Sequence, residues 1–332
     1  MGELTVLKKT IASGNRASGR LHLGHFQLLK YWVTLQDEYD CYYFVADLHA
    51  LTTMYQDTRE VAEYSRDILI DWLSVGLDPE RSTLFVQSQV PAHSELFVLF
   101  SMFSQLGRLY RLPTYKERLR EDETHSLVTL GFLGYPALQA ADILIYRAHA
   151  VPVGLDQASH VELTREVARG FNRLYGNVFP VPTTLHPKVA NLSGTDGRKM
   201  SKSYDNCIYI SDGPDALQKK IGTMFSNPER KRRSDPGDAE KCNVYEFHKC
   251  FTDAETVVRI KAECADASIG CVDCKRILLE NMIEALSGPR EKRKRLEADH
   301  AYLDEVLRKG RERACIAADA TMREVKKAVG LL

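Results

Sequence analysis

The sequence predicts an α/β fold: a parallel β-sheet covered by helices on both faces, followed by a C-terminal portion built of helices alone. Two patterns carry this. Short β-rich runs alternate with amphipathic stretches in the first half, and past Tyr204 the β-type runs thin out while three-to-four apolar spacing persists. A 44% hydrophobic share over 332 residues supports a large core and a second, smaller domain.

Leu4 to Ala12 reads as the first strand, Gly24 to Glu38 as a helix and Cys41 to Ala46 as a strand. Thr58 to Val75 is the next helix, with a capping box in Asp57-Thr58-Arg59-Glu60 and a C-cap at Gly76. Thr83 to Gln87 and Ser94 to Leu106 continue the alternation as strand and helix, and Val151-Pro152-Val153 is a later strand. Asp215 to Met224, Ala254 to Ala265, Lys275 to Leu286 and Tyr302 to Ala314 form the helical part. Asn227 to Asp238, rich in charge with Pro228, Pro236 and Gly237, has the composition of a surface connection. The expected division is 1–204 and 205–332.

Forty-five basic side chains balance forty-five acidic ones, so no global field advertises a nucleic-acid partner, and local patches must do that work. Met1 to Thr10 lacks the apolar stretch of a signal peptide, and no run is long enough to span a bilayer. A cytoplasmic protein without membrane contact is the expectation. Eight cysteines in so long a chain do not make a disulfide scaffold; they are expected to be free, buried or bound to metal.

Ser13 to Leu21 reads as a glycine-bearing loop, and His22-Leu23-Gly24-His25 opens the helix after it. A helix N-terminus offers free backbone N–H groups and the positive end of a dipole to a phosphate. Two histidines three apart add donors, and Gly24 leaves room for a base or ribose. An isolated pair of this kind more often caps a surface helix. A second motif reverses that reading: Lys199-Met200-Ser201-Lys202-Ser203 lies in a loop introduced by Gly194, Gly197 and Arg198. Lysines on a closing loop suit a polyphosphate whose charge rises in the transition state.

Together these two stretches resemble the paired motifs of class I aminoacyl-tRNA synthetases, His-Ile-Gly-His and Lys-Met-Ser-Lys-Ser. Leu23 replaces the isoleucine of the first and the second is intact. The resemblance implies a Rossmann-type catalytic domain over 1–204, ATP and Mg²⁺ as reactants, and His22, His25, Lys199 and Lys202 as catalytic residues. It further implies that Arg16, Ala17, Ser18, Gly24 and His25 meet ATP, together with Lys199, Met200, Ser201, Lys202 and Ser203. Gly154-Leu155-Asp156-Gln157 follows a strand end, where open α/β sheets bind ligands, and Gly154 to Asp156 are implied to touch the ribose.

Tyr135, Gln139 and Asp142 follow helical spacing and share one face of Tyr135 to Tyr146. A carboxylate within a run of Ala, Ile and Leu either pairs with a basic group or awaits a ligand donor, and Arg147 lies off that face. An indole N–H is a donor only and requires such an acceptor. Here the sequence is similar to the tryptophanyl-tRNA synthetases, in which an aspartate at this motif position reads the indole. The likeness takes in Ala46 to Thr53 and His160 to Glu166 and covers nearly the whole chain. It implies that Tyr135, Gln139, Asp142 and Gln157 bind L-tryptophan, that tRNA(Trp) is the partner, and that the protein is a homodimer with a helical anticodon-binding domain over 205–332.

Arg16, Gln139 and Ala12 depart from the commonest bacterial pattern of Gln, Met and Phe. The tyrosine enzyme is the rival reading, since a phenol also donates to a carboxylate, but the chain ends in helices without the extra RNA-binding module typical of bacterial tyrosine enzymes. A synthetase-like protein without catalysis and a redox protein built on the cysteines are readings of another class; the intact histidine and lysine motifs argue against both.

Cys242, Cys264, Cys271 and Cys274 gather in one stretch, and their spacing alone leaves zinc and an iron-sulfur cluster open. The resemblance extends to the bacterial subset carrying a 4Fe-4S cluster and implies these four as its ligands, with Cys250 as a substitute for Cys242. Cys41, Cys207, Cys250 and Cys315 otherwise read as core or surface thiols. Arg230 to Arg233 and Arg290 to Arg295 are either solvated faces or contacts to the anticodon arm.

Overall fold

The computed structural model describes residues 8–121, 128–187 and 192–332, with the side chains of 118, 121 and 203 left aside. Five parallel strands form one sheet in the order β3-β2-β1-β4-β5: β1 Lys9–Arg16, β2 Tyr39–Ala46, β3 Ser82–Val86, β4 Ala150–Pro152 and β5 Thr183–Leu185. β2 and β3 are largely buried and read as mostly apolar runs, as parallel sheets require, whereas the central β1 carries polar residues. Strand order reverses between β1 and β4, which makes their carboxyl ends the switch point where such sheets bind ligands.

The first strand departs from expectation. Residues 4–7 lie outside the described residues, and the stretch taken as the start of a loop, Ser13 to Arg16, is strand paired in register with Tyr43 to Ala46. Its polar residues are tolerated because each is satisfied: Ser13 donates to the Pro152 carbonyl at 2.9 Å, and Asn15 accepts from the Trp72 indole at 2.8 Å. Gly14 serves the sheet, since a Cβ there would lie 2.5 Å from the Phe44 carbonyl oxygen.

Helices α1 Leu23–Leu35, α2 Asp47–Met54, α3 Val61–Val75, α4 Ala92–Ser101, the short α5 Leu106–Leu109, α6 Pro113–Glu121, α7 Leu130–Leu144 and α8 Ala158–Tyr175 connect and follow the strands. Gly76 ends α3 as expected, at φ 122°, with its N–H bonded to the Leu73 and Trp72 carbonyls. The start of α3 is later than the capping box suggested: Asp57 ties the N–H of Arg59 in a turn, and the helix begins at Val61. The remaining helices are α9 Pro214–Thr223, α10 Asn243–Phe251, α11 Ala254–Ala265, α12 Cys271–Ala285, α13 Ser287–Ala298 and α14 His300–Ala328.

The chain divides into two compact units. The first comprises 1–20, 30–187 and 299–332; the second comprises 21–29 and 188–298. In the first, α14 runs 14 residues beyond the expected Ala314, because Ala314, Ala318, Met322 and Val325 join the core of the sheet. Gly310 is required where α14 meets β3: a Cβ would lie 1.7 Å from the Leu84 carbonyl oxygen. In the second unit a smaller core of Ala239, Tyr245, Ile260 and Ile269 packs against Cys242, Cys264 and Cys274.

Candidate active site

The carboxyl ends of the strands carry the polar residues of the first unit. Arg16 ends β1, Asp47 opens α2 after β2, Gln87 follows β3, and Gly154 to Gln157 follow β4. Facing them is α7, with Thr129 capping its first turn through the Phe132 N–H and Tyr135, Gln139 and Asp142 along it.

Asp142 is fully buried, and the histidines bonded to it are far away in sequence. One carboxylate oxygen accepts from His49 Nε2 at 2.7 Å; the other accepts from Gln87 Nε2 and His93 Nδ1, each at 2.7 Å. Burial raises its pKa, but the attraction of His49, then its hydrogen bond and those from His93, pull it to about 2. Asp142 therefore stays ionised. Two oxygens offer about four acceptor positions, and three are used, so Oδ2 keeps a lone pair for one more donor. His93 Nε2 lies 2.7 Å from the Tyr146 hydroxyl, whose pKa burial holds well above its ordinary value. Tyr146 thus donates to His93, and His93 donates to Asp142.

The other end of α7 carries a second chain of bonds. The Tyr135 hydroxyl donates to Thr114 Oγ1 at 2.9 Å, and His160 Nε2 lies 3.1 Å from both. His160 Nδ1 lies 3.1 Å from Gln157 Oε1, which Gln139 approaches at 3.5 Å. Burial lowers the His160 pKa to about 4, so the ring is neutral and relays donors toward Gln157. Arg16 is tethered to α2 through the Ala50 carbonyl and Thr53 Oγ1, Ala17 is buried, and Asp156 accepts from Gln157 Nε2 at 3.2 Å. Arg147, expected from the sequence to lie off the Asp142 face, pairs with Glu324.

The second unit holds the histidine and lysine motifs together. His22 and His25 rings lie 4.0 Å apart, and each Nδ1 accepts a backbone N–H, from Gly24 and His22 respectively. Their Nε2 atoms are left as donors. Burial, then His25 and the ammonium charges of Lys202 and Lys199, lower His22 to about 2; burial and Lys202 lower His25 to about 4. Both rings are neutral donors beside two cations. Met200 is buried under the lysine loop, Lys202 opens a turn of 3-10 helix, and the Arg198 guanidinium lies over the Tyr204 ring at 4.3 Å. The side chain of Ser203 lies outside the described residues.

The four cysteines are neighbours. Burial, then the thiols of Cys242, Cys264 and Cys271, push Cys274 to about 12, and burial raises Cys264 while Arg230 opposes it. Among the described residues, no group of three or more His, Cys, Asp or Glu is placed to hold a single metal ion. Of the basic residues in 290–295, Arg290 is bonded to the carbonyls of Ile283 and Asp212, and the buried Arg293 pairs with the exposed Glu297.

A parallel sheet of this order, a neutral histidine pair beside a lysine loop, and a buried acceptor on α7 define a class I aminoacyl-tRNA synthetase. The family of class I tRNA synthetases for tryptophan and tyrosine matches residues 8–287. Tryptophan–tRNA ligase of Thermotoga maritima is 49% identical over 97% of this chain and 99% of its own, and that of Aquifex aeolicus is 41% identical over 97% and 99%. The crystal structure of tryptophanyl-tRNA synthetase from Campylobacter jejuni, complexed with ADP and tryptophan, superimposes with a TM-score of 0.85 at 32% identity, covering 97% of this chain and 99% of that one. The chain belongs to the tryptophan–tRNA ligases.

Proposed function

We propose that the chain activates L-tryptophan with ATP and transfers it to tRNA(Trp), with the residues above in the roles the sequence suggested. Asp142 carries the reading: an ionised, buried acceptor with one lone pair to spare matches the lone donor of an indole. A phenol would also find an acceptor there, so competition between tryptophan and tyrosine decides between the two. Tyr135, Gln139 and Gln157 are assigned to the amino and carboxylate groups of tryptophan.

In the first step a carboxylate oxygen of tryptophan attacks the ATP α-phosphorus, and the bond to the pyrophosphate oxygen breaks. His22 and His25 donate through Nε2 to phosphate oxygens, and Lys199 and Lys202 offset the charge that develops on the departing pyrophosphate. Arg16, Ala17, Ser18, Gly24 and Gly154 to Asp156 hold the nucleotide, with Met200, Ser201 and Ser203 shaping the lysine loop. Mg²⁺ accompanies the phosphates and supplies further charge neutralisation. In the second step a terminal ribose hydroxyl of tRNA attacks the acyl carbon and AMP leaves. No protein nucleophile is needed.

The division into a catalytic part, 1–204, and a helical anticodon-binding part, 205–332, is part of this reading. So is a cytoplasmic homodimer; exposed Val98, Met102, Leu106 and Tyr110 on and after α4 are apolar groups a second copy would cover. No described helix is long and apolar enough to cross a membrane. Cys242, Cys264, Cys271 and Cys274 are assigned to a 4Fe-4S cluster: the other three lie close enough to Cys274 to act on its pKa, and four neighbouring cysteines are the usual holder of such a cluster. Such a cluster would tie α10, α11 and α12 together.

Trp-dependent ATP–pyrophosphate exchange tests the assignment, with tyrosine and phenylalanine as competitors. Exchange supported by tyrosine as well as by tryptophan overturns it.

A further inference from the structure

A side chain outside its motif grips the lysine loop from within. Asn206 is buried at 2% exposure, and its amide lies inside the curve of chain from Gly194 to Ser201. Its Nδ2 donates to Asp196 Oδ1 at 2.8 Å and to the Lys199 carbonyl at 3.1 Å; its Oδ1 accepts the Ser201 N–H at 2.8 Å. The amide thus grips the backbone on both sides of Met200. Its own main-chain carbonyl accepts the Thr195 N–H at 2.9 Å, so the two ends of the loop are joined as well.

The surroundings are shaped to admit this group. A Cβ at Gly194 would lie 2.2 Å from Asn206 Nδ2, so only glycine leaves the space. Gly194 donates to the Arg198 carbonyl at 2.6 Å and its own carbonyl accepts from Asn243 Nδ2 at 2.6 Å, which fixes the entry to the loop. Asp196 is in turn held by the N–H and guanidinium of Arg198. Two donors and one acceptor at fixed spacing are what a carboxamide supplies, and neither an aspartate nor an alkyl group can replace it.

We propose that Asn206 is the positioning residue of the lysine loop: its carboxamide sets where Lys199 and Lys202 stand relative to the neutral pair His22 and His25. It touches no reactant and acts through the backbone it holds. Lysine charge matters most in the transition state, so misplacing the loop reduces turnover and leaves tryptophan binding alone. The proposal rests on the activity proposed above.

The test compares wild type, Asn206→Asp and the reciprocal exchange Asp196→Asn/Asn206→Asp. Asn206→Asp keeps the acceptor for Ser201 but loses both donors and faces a second carboxylate at Asp196. Its kcat in tryptophan-dependent exchange is expected to fall on the order of 100-fold, the scale of a roughly 1 Å misplacement, with KM for tryptophan within about twofold of wild type. The exchange variant restores a donor–acceptor pair between positions 196 and 206 and is expected to recover about tenfold of that loss. Limited trypsinolysis reads the loop without reference to activity: peptides ending at Arg198, Lys199 or Lys202 should appear faster from Asn206→Asp than from wild type. Unchanged kcat, equal trypsin rates, or a loss in which KM and the melting temperature move together without recovery in the exchange variant each overturn the proposal. A wild type with no tryptophan-dependent exchange would instead refute the functional reading, and the trypsin rates would still decide the role of Asn206.

Discussion

Replacing His93 by leucine removes one of three bonds to the buried carboxylate of Asp142 while keeping a side chain of similar volume in the core. Two losses follow. Asp142 is held at about 2 against an ordinary 3.8, and His93 stands behind His49 among the causes that lower it. Giving back about one pKa unit corresponds to about 1.4 kcal/mol. The Tyr146 hydroxyl, bonded to His93 Nε2, is left buried without that acceptor at a cost of about 1–3 kcal/mol. The variant should therefore be less stable by about 2–4 kcal/mol at pH 7. The sign of the pH dependence separates the two terms. A carboxylate with a depressed pKa contributes stability that is present above its ordinary value and lost as pH falls through the folded value, here between about 4 and 2. The first loss should fade over that window, and the second should persist until Tyr146→Phe is added. Denaturant melts of the single and double variants from pH 7 to pH 2 measure both. A deficit that does not change with pH, or none at all, refutes the idea that His93 keeps the carboxylate ionised.

Lys199→Ala and Lys202→Ala should each slow pyrophosphate exchange by about 10- to 1,000-fold with KM for tryptophan nearly unchanged; weaker tryptophan binding at full turnover would contradict a transition-state role. Asp142→Ala should raise KM for tryptophan and erode discrimination against phenylalanine and tyrosine, as competition assays would show; wild-type selectivity would move the specificity role elsewhere. Anaerobically purified protein should be brown, with iron and sulfide in about four-to-four proportion. Cys271→Ser or Cys274→Ser should bleach it while Cys250→Ser should not, and zinc on metal analysis would defeat the assignment.

Most of the sheet and the histidine and lysine motifs were legible because each is written in contiguous residues. The first strand was read short because Ser13, Gly14, Asn15 and Arg16 look like a loop; the Pro152 carbonyl and the Trp72 indole that make them acceptable in a sheet are remote in sequence. The partners of Asp142 escaped for the same reason, lying 93, 49 and 55 residues away at His49, His93 and Gln87. One signal could have found them: all three fall just past a strand, on α2 after β2 or within the first residues after β3, where an α/β sheet gathers its polar groups.

The return of α14 to the sheet bears on how the chain is born. Arg313 bonds the Ser82 carbonyl across 231 residues of sequence, and all of 188–298 is made between the strands and the helix that seals them. At 5–20 residues per second, β3 waits roughly 10 to 50 s after leaving the ribosome before Ala314, Ala318 and Met322 can cover their share of the core. During that interval the part of β3 that meets Gly310 is open to other chains while the inserted unit is still being synthesised. Residues 300–328 therefore set when this part of the core can form, and a chain stalled short of them lacks Ala314, Ala318 and Met322 in it.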